Sequence, residues 1–177
     1  VLELLRERET LIDKTAQVLK ANAPDIDRRA EQLSEELKKA QRRLEALEAR
    51  AALAQADAIL SGAESIGGLR VIVKGLDGTA PAQLRVIGDC LRDKAPDAVA
   101  VLAVSDGEKL HFTAVCGAQA VKAGLHAGNL VRETAKAAGG GGGGRPDSAS
   151  AGGGEPGRLS EALSKAAELI RASVDSR

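Results

Sequence analysis

Aromatic side chains are almost missing from this chain: Phe112 is the only one, and tryptophan, tyrosine and methionine are absent. That argues against the stacking platforms of several aromatics with which single-strand binders hold bases. It also restricts the core to Leu, Val, Ile and Ala, which suits helices packed closely through small residues. Net charge is missing too. Lys plus Arg and Asp plus Glu both total 25, so any contact with nucleic acid has to come from a local patch. Two cysteines, Cys90 and Cys116, are too few and too isolated for a disulfide framework or a zinc site. They read as reduced thiols in a cytosolic protein. No apolar stretch approaches the roughly 20 residues that span a bilayer, and no signal-peptide pattern is present. A membrane partner is therefore not expected. The chain opens on Val1 inside an amphipathic pattern, without a methionine, which is the expectation for a fragment of a longer protein.

What is present divides into two regions with different periods, 1–66 and 67–177. In the first, Leu4, Leu11 and Val18, flanked by Leu5, Ile12 and Leu19, recur every seven positions and make one helical stripe. Asn22, Ala23 and Pro24 interrupt it. Pro24 biases Ala23 away from helix, and Asp25 or Asp27 can cap a new one. The second helix carries Ile26, Ala30, Leu33, Leu37, Ala40, Leu44, Leu47, Ala51, Ala54 and Ala58, an unbroken a/d seam. Two helices joined by a short turn are expected to fold back as an antiparallel hairpin. The seam is wider than one partner helix needs, which suits self-association into a homodimer through Leu33, Leu37, Leu44 and Leu47. The charges of this region are mixed along each helix and read as a solvated face.

From residue 67 the period changes. LRVIVK at 69–74 reads as a strand after Gly67 and Gly68, and 80–94 as a helix on Leu84, Ile87 and Leu91. AVAVLAV at 98–104 is a continuous apolar run, expected for a buried strand. Ser105, Asp106 and Gly107 make a turn into a partner strand over 109–115. Helices follow at 118–125 and 129–138, and an amphipathic helix at 159–174 closes the chain. The expected fold class is α+β: a coiled-coil-like antiparallel helical hairpin, then a small mixed α/β globular domain. The hairpin is the linker and oligomerisation part, and the globular domain the binding part.

Between the last two helices stand six glycines, Gly139 to Gly144, running into Arg145, Pro146 and Asp147 and on through a serine- and alanine-rich stretch to Gly154. Glycines this dense let the backbone approach a ligand and point several N–H groups at one anion. Arg145 adds a planar cationic fork suited to phosphate. A slack surface loop is the competing reading. The charge tally of 109–145 favours the first: Lys109, Lys122, Arg132, Lys136 and Arg145 stand against Glu133 alone. A local basic segment of this kind gives affinity and salt dependence with little sequence discrimination. The run is not a Walker loop, lacking the Gly-Lys-Ser/Thr ending, nor a dinucleotide fingerprint, since it does not follow the first strand. His111 and His126 are isolated in sequence and read as structural or exposed. Asp77, Asp106 and Asp147, beside Gly or Pro, read as turn residues. No nucleophile–base pair or metal quartet emerges, so the polypeptide does not look catalytic.

GGGGGGRPDSASAGG, with Ala127-Gly128-Asn129-Leu130-Val131 upstream and Leu91-Arg92-Asp93-Lys94 in the middle, resembles the C-terminal part of alanyl-tRNA synthetases, their C-Ala domain. The resemblance covers essentially the whole chain. It implies a DHH-associated globular domain that handles tRNA(Ala), with Gly140, Gly141, Gly142, Gly143, Gly144, Arg145, Lys122, Arg132 and Lys136 as the tRNA-contacting set. Contact with the outer corner of the tRNA, coupling of the aminoacylation and editing domains of the same chain, dimerisation through the helical part and a cytoplasmic location are further implications. ATP and zinc sites belong upstream in such enzymes, so no cofactor is expected here. Related DHH-type phosphoesterases commonly place a histidine after the glycines. Arg145 stands there instead, as in the synthetases. A purely structural dimerisation module and the nucleic-acid-binding domain of a phosphoesterase are the alternatives.

Overall fold

A computed structural model describes residues 2–175. Helix α1 (Leu2–Leu19) ends at Lys20, whose φ of 52° lets the chain turn, and a short 3-10 segment at Ala23–Asp25 leads into α2 (Ile26–Ser61). Pro24 and the extended backbone of Asn22 make the break that the sequence signals. Two compact units divide the chain, Val1–Leu47 and Glu48–Arg177, so the division falls inside α2.

In the first unit both helices form where the heptads place them, but beyond the turn their apolar stripes do not close on each other. Leu4, Leu11, Leu37, Leu44 and Leu47 are all more than half exposed. Ala16, next to the turn, is the buried residue of α1. The chain folds back at the turn, where Ala16 is buried, Leu19, Ile26 and Leu33 are half-buried and Arg29 Nε donates to the Leu19 carbonyl at 3.4 Å, while the seam beyond Leu33, through Leu37, Leu44 and Leu47, is left facing solvent.

In the second unit a six-stranded sheet runs β1-β2-β3-β4-β6-β5, from β1 (Glu64–Ile66), β2 (Leu69–Gly75), β3 (Ala98–Ser105), β4 (Leu110–Cys116), β5 (Gly140–Gly144) and β6 (Ser148–Gly153). Gly67 and Gly68, at φ 58° and 77°, make the tight turn between β1 and β2. Strands β2 and β3 are parallel, joined by the crossover helix α3 (Pro81–Lys94); every other pairing is antiparallel. Strand β3 is buried along seven of its eight residues, which its unbroken apolar run anticipates. The last turns of α2 (Ala52, Ala56, Ile59) and α3 (Leu84, Ile87, Leu91) cover one face. Helices α4 (Ala118–Lys122), α5 (Ala127–Ala137) and α6 (Leu159–Asp175) lie with the other core, around Phe112 and Ile170. Cys116 is buried there, and burial pushes its thiol up to about 12. Cys90, half-buried on α3, is also raised, mainly by burial.

The expected strands and helices of 69–138 are present, but β1, β5 and β6 add to them. The glycine run, expected as a loop, is an edge strand. Glycine is normally depleted in strands, which hides it from sequence reading. Its register explains it: Gly140 to Gly144 pair with Gly153 to Ala149.

At the turn between β3 and β4 His111, isolated from any carboxylate cluster in sequence, meets the turn residue Asp106. His111 Nε2 lies 2.8 Å from Asp106 Oδ2, and Asp106 Oδ1 accepts the backbone N–H groups of Glu108 and Lys109. The His111 contact first, then the two amides, draw the Asp106 carboxyl from 3.8 down to about 2. A carboxyl depressed on folding stabilises the turn above its unfolded value and loses that contribution as pH falls through about 2. Amide exchange at Glu108 and Lys109 should therefore accelerate, relative to the β3–β4 ladder, between about pH 4 and pH 2. In Asp106→Asn that pH step should vanish.

Candidate nucleic-acid interface

The glycine strand lies where side chains cannot. A Cβ on Gly142 would stand 2.4 Å from both Cα and Cβ of Ala151, and one on Gly144 would stand 2.7 Å from the same atoms of Ala149. On Gly140 it would meet the Gly153 carbonyl oxygen at 2.8 Å. These three glycines are required by the close lean of β5 on β6. Gly141 has open space around it, and Gly143 meets only the flexible end of Arg132, at 3.2 Å from Nη2. Half of the run is therefore explained by packing, and the rest leaves a backbone strip free of side chains under a guanidinium.

Helix α5 holds that guanidinium in place. His126 caps its N-terminus, accepting from the Asn129 amide at 3.4 Å, which gives this isolated histidine a structural role. Gly128 sits against the end of β5: a Cβ there would be 2.4 Å from the Gly144 carbonyl oxygen. Backbone bonds from Ala127 and Gly128 N–H to the Pro146 and Arg145 carbonyls tie the helix to the β5–β6 turn. Arg132 and Lys136, four residues apart, share one exposed helix face. Lys136 is engaged by Glu133 at 2.8 Å, and holds that carboxyl below the ordinary range.

Arg145 occupies the β5–β6 turn, three-quarters exposed, with Nε 3.4 Å from Asp147 Oδ1. A groove of about 340 Å³ opens beside it, lined by Arg85, Gly143, Gly144, Ser148 and Ser150 among others. Arg85 comes from α3, on the opposite face of the sheet from Arg132. Sequence reading misses it, because only the neighbouring of β4 and β6 brings α3 near the glycine hairpin. Lys122 lies apart, in a neighbouring depression of about 570 Å³ with Arg92 and Asp147. Asp147 faces both Arg92, at 3.6 Å, and Arg145, so it joins the two sets of cations. Among the described residues Arg85, Lys122 and Arg132 make no ion pair. The result is a rim of exposed cations on either side of a thin, side-chain-free strand, with serine hydroxyls between them. This arrangement suits phosphate oxygens approaching from the edge. A cradle of converging N–H groups is not formed, because strand geometry turns successive amides to opposite sides.

The family model for the DHHA1 domain matches residues 68–172. The alanine–tRNA ligases of Acetivibrio thermocellus and Shouchella clausii are 39% and 40% identical to this chain, over 95% and 96% of its length. The chain spans 19% of the length of each of these curated relatives. Among solved structures, the C-Ala domain of Aquifex aeolicus alanyl-tRNA synthetase superposes with a TM-score of 0.56 at 28% identity, covering 62% of this chain and 97% of that one. With more than half its length matched by that model, and the glycine hairpin inside the match, the chain belongs to the DHHA1 domain family.

Proposed function

We infer that this chain is the C-terminal tRNA-binding module of an alanyl-tRNA synthetase. The observation that carries this reading is the convergence of Arg85, Arg132 and Arg145 on the glycine hairpin, in a chain of zero net charge that is similar over 95% of its length to an alanine–tRNA ligase. The module is non-catalytic, with alanine activation, ATP and zinc chemistry placed in upstream domains of a cytoplasmic enzyme. Its hairpin grips phosphates near the tRNA elbow, where the helical fold of the RNA offers an accessible backbone. Holding the elbow keeps one tRNA within reach of both the aminoacylation and editing domains. Lys122 and Lys136 extend the cationic surface to either side.

Filter-binding titrations across a salt series test this. Arg145→Ala together with Lys136→Ala is expected to weaken tRNA binding and to flatten the salt dependence by about one to two counterions. Unchanged affinity and slope in the double variant reject the role of the hairpin.

The exposed leucines favour a second activity of the same chain. A solvent-facing stripe through Leu37, Leu44 and Leu47 on a 36-residue helix suits pairing with another copy. Light scattering should show a dimer that becomes a monomer in Leu37→Lys with Leu44→Lys. A wild type already monomeric at high concentration removes dimerisation from the account.

A further inference from the structure

At the opposite edge of the sheet from β5, the outer side of β2 is only partly covered. Strand β1 has three residues and pairs with Leu69, Arg70 and Val71. In the β2–β3 ladder the N–H groups of Arg70 and Leu76 donate to Asp97 and Ala103, so the even-numbered residues of β2 face β3. Alternation then turns the N–H and C=O of Val73 and Gly75 outward, beyond the reach of β1. No backbone or side-chain partner for these groups is present among the described residues. Val73 lines a groove of about 370 Å³, walled by Ile59 at the end of α2 and by Leu163 and Ala167 of α6, and Gly75 follows it along the strand, close to the side chains of Leu159 and Leu163.

We propose that this groove takes an extended acidic polypeptide segment, which adds as a strand to the β2 edge. Unpaired backbone in an apolar-walled slot is the arrangement that strand addition uses: main-chain bonds supply affinity and flanking walls receive alternate side chains. The charge of the occupant follows from the groove's lining, in which two cations, Lys74 and Arg171, stand against the single carboxylate of Glu64. Lys74 is exposed and makes no ion pair among the described residues; Arg171 has only an exposed contact to Glu64 at 3.4 Å. A lysine beside a free edge repels apolar or basic strands and stays compatible with an acidic one. Two outward-facing residues set the length, a segment of about three to five residues at roughly 3.3 Å each. The proposal is independent of the tRNA reading.

The test is an NMR titration of the 15N-labelled 177-residue chain with the capped peptide TEVEVET. Slowed amide exchange at Val73 and Gly75 is the expected result. The lysine counterpart TKVKVKT should bind about fivefold more weakly, and Lys74→Glu should remove that preference. A TEVEVET peptide N-methylated on its central three residues, which cannot form the ladder, should not bind. Unperturbed Val73 and Gly75 amides at millimolar peptide overturn the proposal, as does equal binding of the N-methylated peptide.

Discussion

Gly142→Ala is expected to detach β5 from β6, although the residue lies on an exposed edge strand. The added methyl would stand 2.4 Å from two atoms of Ala151, one of them backbone. Nothing flexible is available to yield. Overpacking of this kind costs about 1–3 kcal/mol where a core can shift, and here relief comes only by opening the pairing of Gly140–Gly144 with its partner. Gly141→Ala, one residue away and in open space, should change stability by no more than about 0.5 kcal/mol. Denaturant titration of both variants, with amide exchange on β6, separates them. Equal behaviour of the two would show that the lean of β5 on β6 does not govern the glycine run. If the hairpin also holds RNA, Gly142→Ala should lose tRNA affinity although every cation remains.

A larger loss of stability is expected from Phe112→Ala. Phe112 lies on β4, 1% exposed, and is the largest of the fully buried side chains. In a core otherwise built of Leu, Val, Ile and Ala, no neighbouring aromatic can swing into the space. A cost of about 3–5 kcal/mol follows, or a fall of roughly 10–20 °C in Tm for a unit of this size. Phe112→Leu keeps much of the volume and should recover more than half of the loss. A drop below about 1 kcal/mol for Phe112→Ala would mean that the core collapses around the cavity more freely than its β-sheet backbone suggests.

The parts of the fold legible in the sequence are those where periodicity reports burial. AVAVLAV announces β3 because both faces of that strand are covered, and Leu84, Ile87 and Leu91 announce α3 because one helical stripe meets the sheet. Asn22 and Pro24 mark the helix break for local steric reasons. The glycine strand was not legible as a strand, since it has no side chains to alternate and its partner is set by a register found only in three dimensions. Arg132, Lys136 and Arg145 could be gathered by charge counting along one segment. Arg85 could not, because it reaches the same groove from a helix about fifty residues earlier, across the sheet. The heptads located α1 and α2 but not their packing: a seam specifies that it be covered, and leaves open by what.

Photo-crosslinking of tRNA(Ala) to the chain, with the attached peptides mapped by mass spectrometry, tests the central claim most directly. The account predicts crosslinks concentrated between Arg132 and Ser150 and at Arg85, with nucleotides of the tRNA elbow. Crosslinks confined to α1 and the first part of α2, with none on the glycine hairpin, would contradict it.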